Sequence, residues 1–296
     1  MGSSAVNQSR LSAMATDDHR FWRKYSAVNA LRTIAFYLLL LVLFFPFFFV
    51  FAWMIEGAFK TQLQNTSIPP LFIFQPTMEN FYTVFHRNPM VRFLLNSAIV
   101  GCGATLLALV FGLPAAYGIA RYKQKRLPVA ILVARIMPGI SFLVPWFIMF
   151  SKLKMIGSYP ALILAHLLIT LPMTIWLMIG FFEDIPKGLD EAALIDGCNP
   201  FQAFLRVSVP LTRPGIAASA ILSFIFSWNN FLFSLVLSSQ QTRPLPVAVF
   251  SFISYTQIDW GGLNAAATVV TLPVLVMILF IQKHMVRGLT LGSVKG

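Results

Sequence analysis

Charge is scarce in this sequence, and acids are scarcest: 11% of the 296 residues are charged, and only ten are Asp or Glu. None of the ten sits in the middle of a long apolar run. Glu56, Glu79, Glu183, Asp184, Asp190, Glu191, Asp196 and Asp259 lie at the edges of such runs or between them. A transporter driven by protons or sodium needs intramembrane carboxylates, so this placement argues against ion coupling. Cysteine is nearly missing too. Cys102 and Cys198 cannot form a disulfide framework or a thiolate metal site. No Gly-Lys dipeptide occurs, so the phosphate-cradling P-loop is absent. The four histidines, His19, His86, His166 and His284, are far apart and form no His-Glu-x-x-His metal pair, and no Gly-x-Ser-x-Gly elbow is present. The sequence therefore offers no catalytic residue, no metal ligand and no cofactor site of its own.

What it has in abundance is apolar surface. Hydrophobic residues make up 57% of the chain, including 29 Phe and 12 Met, and the mean hydropathy is +0.76. That is too apolar for a water-soluble domain and suits a bilayer. The net charge of +12 would suggest nucleic acid in a soluble protein. Here the basic residues occupy gaps between apolar runs, where they set membrane topology, and nucleic-acid binding is not expected.

A helix crossing the hydrocarbon core needs about 20 apolar residues. Six stretches qualify: Ile34 to Ile55, Leu94 to Ala120, Leu127 to Phe150, Ala161 to Phe182, Gly215 to Leu237 and Ala265 to Ile281. The backbone must pair within each segment in lipid, which predicts an all-α integral membrane protein of six transmembrane helices. Of the 22 Lys and Arg, fifteen fall on one side of these spans and six on the other, so both termini are expected in the cytoplasm. The opening 33 residues are polar and lack a secretory cleavage pattern, so they are expected to stay as a cytoplasmic tail before a transmembrane domain spanning 34–296. The stretch from Glu56 to Phe93, with Pro69, Pro70 and Pro76, is expected to fold as an outer cap.

One long cytoplasmic connection remains, residues 183–214. Pro186 suits a first helical turn, and Asp190 and Glu191 suit a positive helix start. Gly197 supplies the left-handed residue that ends the helix. Asn199, Pro200 and Gln202 read as cap, first-turn proline and reciprocal cap of a second helix that stops before Pro210. From periodicity alone, an amphipathic loop lying on the membrane surface fits equally well.

The residue pattern adds to this. Glu191, Ala192 and Ala193, then three residues, Gly197, nine residues, and Val207 to Pro210 resemble the EAA loop of binding-protein-dependent ATP-driven importers, with valine at both aliphatic positions. The resemblance covers roughly residues 30 to 296 and is to the shorter permease subunit of maltose- and glycerol-phosphate-type sugar importers. PTMENFYTVF from Pro76, the Asn96-Ser97 pair, AAYGIARY from Ala115, WNNFLFSLVL from Trp228 and GLTLGSVKG from Gly288 also carry it. Relatives often have an acid where this chain has Asn230, so no carboxylate role carries over there. The resemblance implies a type I ABC importer permease fold in the bacterial inner membrane. It further implies a homologous second permease, two ATP-binding subunits that hold ATP and Mg, a periplasmic solute-binding protein and a carbohydrate cargo. Glu191, Ala192, Ala193, Leu194, Asp196, Gly197 and Pro210 would then dock on the ATPase. The cytoplasmic tail at 283–296, through Gly288, Leu289, Thr290 and Lys295, would touch the same partner.

Polar residues inside the spans are candidates for the translocation path. Arg135 costs about 2.5 to 3.5 kcal/mol if placed at the bilayer centre. It either lines the path or reaches the headgroups or a subunit interface. Trp228, Asn229 and Asn230 combine an aromatic face with amides, as sugar sites do, and buried Asn also ties helices together. Pro114, Pro138, Pro145, Pro172 and Pro273 would interrupt helices, either as bends for rocking or as tolerated kinks. His166 reads as a helix-packing residue.

Overall fold

The computed structural model describes residues 3–124, 126–254 and 257–291, with side chains described for 29, 31–124, 126–133, 136–254 and 257–279. Among them the chain is helical. In order come α1 (Ser3–Ala58), α2 (Gln62–Asn65), α3 (Glu79–Arg87), α4 (Met90–Arg121), α5 (Arg126–Ile136), a 3-10 turn (Gly139–Phe142), α6 (Leu143–Lys152) and α7 (Tyr159–Glu183). Then follow α8 (Lys187–Ile195), α9 (Pro200–Ala203), one wide π turn (Phe204–Ser208), α10 (Val209–Leu211), α11 (Arg213–Trp228), α12 (Leu232–Leu237), α13 (Leu245–Val249), a 3-10 turn (Phe250–Phe252) and α14 (Trp260–Leu291). The chain divides into two units, Met1–Glu56 and Gly57–Gly296.

Among the described residues four helical stretches are long and apolar enough to cross a membrane: Leu31–Ala58, Met90–Arg121, Tyr159–Glu183 and Trp260–Leu279. The other two expected spans are broken. The stretch from Leu127 to Phe150 is not one helix: α5 ends at Ile136, and a 3-10 turn separates it from α6. Pro138 has no N–H to continue the helix, and its ring drives Met137 out of helical geometry. The stretch from Gly215 to Leu237 breaks between Trp228 and Leu232, so Trp228 to Asn230 end a helix rather than sit inside one. Of the five prolines expected to interrupt helices, Pro114, Pro172 and Pro273 lie inside continuous ones. Pro145 falls in the first turn of α6, where its missing N–H costs nothing.

The second unit is organised by small residues. Ala104, Ala108, Gly112, Ala116 and Ala120 recur every fourth position on α4, and all are buried. That stripe lets α7 approach closely along its length. At Gly112 an added Cβ would stand 2.7 Å from the Thr174 side chain, too close to be accommodated without movement. α11 packs against both helices, and α14 against α11. On the opposite side of α4, Leu106, Val110 and Phe111 are exposed, a surface suited to lipid.

Polar pins fix the far end of this bundle. Asn96 donates through Nδ2 to the carbonyls of Gln241 and Arg243, both at 2.9 Å, and its Oδ1 accepts from Tyr159 Oη at 2.7 Å. Ser97 Oγ accepts from the Leu245 amide at 2.7 Å. The Asn-Ser pair thus anchors the chain between α12 and α13 to α4. Beside it the expected cap is folded: Asn80 donates to the carbonyls of Ala58 and Lys60, and Gln62 binds both Ile258 and Trp260.

Ala108 is completely buried, whereas Val110 is 54% exposed. Ala108→Leu should destabilise the purified chain by about 1–3 kcal/mol through overpacking. Val110→Leu should stay within about 0.5 kcal/mol. Thermal unfolding in detergent compares the two, and equal midpoints would show that the stripe is not a packing surface.

Candidate coupling loop and translocation path

The loop from Glu183 to Pro214 folds as its local chemistry dictates. α8 ends at Ile195 with Asp196 as its C-terminal cap, and Gly197 takes φ +89°. The Gly197 amide donates to Leu194 O at 3.1 Å, and the Cys198 amide to Ala193 O at 2.9 Å, the paired bonds of a left-handed helix stop. A Cβ at Gly197 would meet nothing within 4 Å, so glycine is required by backbone angle alone. Asn199 then caps α9: its side chain accepts from the Gln202 amide at 2.8 Å, while Gln202 Oε1 accepts from the Asn199 amide at 3.0 Å. The arm does not stop before Pro210. It widens into the π turn and runs on through Pro210 to Leu211, since that turn places the proline in the first turn of α10. The Pro200–Leu211 arm then meets α11 at a bend of 81°.

α8 presents two unlike faces. Glu191, Ala192, Leu194, Ile195 and Asp196 are exposed, with Ile195 at 86%. Asp190 and Ala193 are buried. Ala193, expected to face a partner, faces its own bundle instead, which leaves Ala192 as the small residue of the outer face. Pro210 is half-buried.

Asp190 is the buried, fully bonded residue that the pattern did not reveal. Its Oδ1 accepts from Ser208 Oγ at 2.8 Å, and its Oδ2 accepts from Tyr117 Oη at 3.0 Å and pairs with Arg121. Arg121 also donates through Nη1 to Ile185 O at 3.1 Å, and Lys187 Nζ donates to Arg121 O at 3.3 Å. The Tyr117 ring packs against both Phe182 and Phe204, with centroids 5.6 and 4.9 Å away. One buried carboxylate on α8 therefore binds the end of α4 and the π turn. Removing one member of such a buried pair typically costs about 3–5 kcal/mol. A cleft of about 520 Å³, lined by Arg121, Lys123, Glu183 and Lys187 among others, opens beside it.

The broken fifth stretch is the second candidate site. Asn229 closes α11: its amide and its Nδ2 both donate to Ile225 O, at 3.0 and 2.9 Å. Asn230 Oδ1 accepts from the Phe233 amide at 3.2 Å and starts α12. Asparagine side chains compete with the helical backbone in this way, so both residues act as caps. His166 on α7 bridges the gap, with Nδ1 2.7 Å from Ser227 Oγ and Nε2 3.2 Å from Ser234 Oγ. Trp228 is buried and donates through Nε1 to Val270 O at 3.2 Å, so its face is committed to packing. Asn229 is exposed and Asn230 half-buried. For Arg135 only the backbone, within α5, is described. Gly288, Leu289 and Thr290 continue the α14 backbone, and Lys295 lies outside the described residues.

Comparison with known proteins places the chain among transport components. The family described as the binding-protein-dependent transport system inner membrane component matches residues 108–291. A probable ABC transporter permease of Sinorhizobium fredii is 37% identical over 86% of this chain and 92% of its own. The trehalose transport system permease SugB of Mycobacterium tuberculosis is 38% identical over 74% and 82%. The sulfoquinovosyl glycerol permease SmoH of Agrobacterium fabrum is 34% identical over 82% and 87%. Among solved structures, a bacterial ABC transporter that imports the acidic polysaccharide alginate matches with a TM-score of 0.69 at 18% identity, covering 88% of this chain and 96% of that one.

Gly197→Ala should cost about 1–2 kcal/mol, the strain of a Cβ at positive φ. Gly197→Pro removes the amide that bonds Leu194 O as well. Hydrogen exchange at the Asp196 and Cys198 amides should therefore quicken modestly in the first variant and strongly in the second, and unchanged protection in both would contradict the role given to this turn.

Proposed function

The chain belongs to the family of inner-membrane components of binding-protein-dependent transport systems, and on that footing we propose that it is the permease subunit of an ATP-driven carbohydrate importer. The carbohydrate reading is supported by relatives that serve trehalose and a sulfoquinovosyl glycoside. The chain crosses the bacterial inner membrane six times with both termini in the cytoplasm: the apolar stretch of α1, α4, the broken α5–α6 pair, α7, the broken α11–α12 pair and α14. It works beside a homologous second permease, two ATP-binding subunits carrying ATP and Mg, and a periplasmic solute-binding protein.

The observation that carries this reading is the divided character of α8. Its inner face is tied down by Asp190, and its outer face offers Glu191 beside Ala192, Leu194 and Ile195. A helix held on one side, and offering Ala192, Leu194 and Ile195 beside the carboxylates of Glu191 and Asp196 on the other, suits a groove on a foreign subunit with a basic residue for Glu191. Asp196 and Gly197 shape its end, and Pro210 steers the arm back to α11. ATP-driven closure of the partner dimer displaces this lever and rocks the spans between inward- and outward-facing states. Asn229 and Asn230 line the path at the break in the fifth span, with Arg135 a further member. An anionic glycoside is a second reading, favoured by the sulfoquinovosyl glycerol relative.

Glu191→Lys should cut ATP-driven uptake by about tenfold or more, the scale of loss when a charge-assisted contact is reversed. The chain should remain in the membrane fraction while the ATPase no longer copurifies with it. Normal uptake and copurification would refute the docking role.

A further inference from the structure

We infer that the buried Arg121–Asp190 pair is the joint that makes α4 follow α8, with Tyr117 and Ser208 as its positioning hydroxyls. This rests on the coupling reading above and goes beyond it, because it says how displacement of the loop enters the bundle.

Three observations carry it. First, α8 is joined to α7 by only Asp184 to Pro186, and to α9 through the turn at Gly197, so the chain itself leaves the coupling helix free to swing at both ends. Second, the polar bonds that remove this freedom converge on two residues. Asp190 has both oxygens engaged, one by Ser208 and the other by Tyr117 and Arg121. Arg121 in turn holds Ile185 O, within the link between α7 and α8, and its own carbonyl receives Lys187 from the first turn of α8. Third, the remaining contacts here are apolar, through Phe182, Ile185 and Phe204 around Tyr117. Apolar contacts resist separation but are non-directional, so they allow sliding. Charge-assisted bonds fix atoms in register.

The consequence is directional. A push on the outer face of α8 reaches Arg121, the last residue of α4. Because the small-residue stripe packs α4 against α7 along its length, the two helices receive that push together.

The test is a distance measurement on the whole transporter, with its ATPase subunits, in lipid vesicles. Cys102 and Cys198 are replaced by serine, and spin labels are placed at Ile195→Cys, on the exposed face of α8, and Leu106→Cys, on the exposed side of α4. Between the nucleotide-free and ATP-trapped states the label separation should hold to within about 2 Å, the size of an ordinary packing shift. In Asp190→Asn it should shift or broaden by about 5 Å, one helical turn. Tyr117→Phe with Ser208→Ala keeps the ion pair and should fall between. A wild-type separation that itself changes by several ångströms, or an Asp190→Asn distribution identical to wild type, overturns the joint. Immobilisation of the Ile195 label by the ATPase reports the coupling reading separately: its absence would defeat that reading while the effect of Asp190→Asn on the separation remains measurable.

Discussion

Hydrocarbon offers no hydrogen-bond partner, and that constraint governs this structure more than any other. Each unmatched backbone group in lipid costs several kcal/mol, so a helix can break within the membrane only where the protein supplies the missing partners. At the broken fifth stretch those partners are present. Asn229 and Asn230 cap the two helix ends from within, and His166 ties Ser227 to Ser234 across the gap. The break is thereby tolerated, and it leaves Asn229 exposed.

The same constraint puts the mechanical parts at the ends of the helices, where water completes what the protein does not. The arm that returns from the coupling loop meets α11 at 81°, so it lies across the direction of the span. Beside it, α8 is anchored on its inner side by Asp190 and exposed on its outer side. The proposed function rests on that asymmetry. A lever bonded on both sides could not be driven, and one bonded on neither could not drive anything.

How much was legible in the sequence depended on whether the signal was local. The second and fourth spans, read as Leu94 to Ala120 and Ala161 to Phe182, agree within four residues with helices at Met90–Arg121 and Tyr159–Glu183, because apolar length is itself the cause. Gly197 and the Asn199–Gln202 cap were legible for the same reason: a backbone angle and a reciprocal hydrogen bond involve only neighbours. Pro138 was read as one of five interrupting prolines and is the one before which a helix ends, whereas the break at Asn229 was not legible, since mean hydropathy stays high across it. Asp190 was read as an acid suited to a helix start, and Ala193 as part of a docking face. Only the fold brings Tyr117, 73 positions away in the chain, against Asp190 and so decides which face of α8 is inward. Trp228 looked like a sugar platform by composition, but its indole is spent on the Val270 carbonyl, a contact between distant helices.

The central claim is that this bundle cannot move cargo unaided and is driven through its loop by a separate ATPase. Flux of radiolabelled trehalose into vesicles bearing the purified chain alone, with and without ATP, compared with uptake by cells carrying the complete system, tests it most directly. The account predicts no flux through the isolated chain in either condition. Solute crossing those vesicles without nucleotide would contradict it.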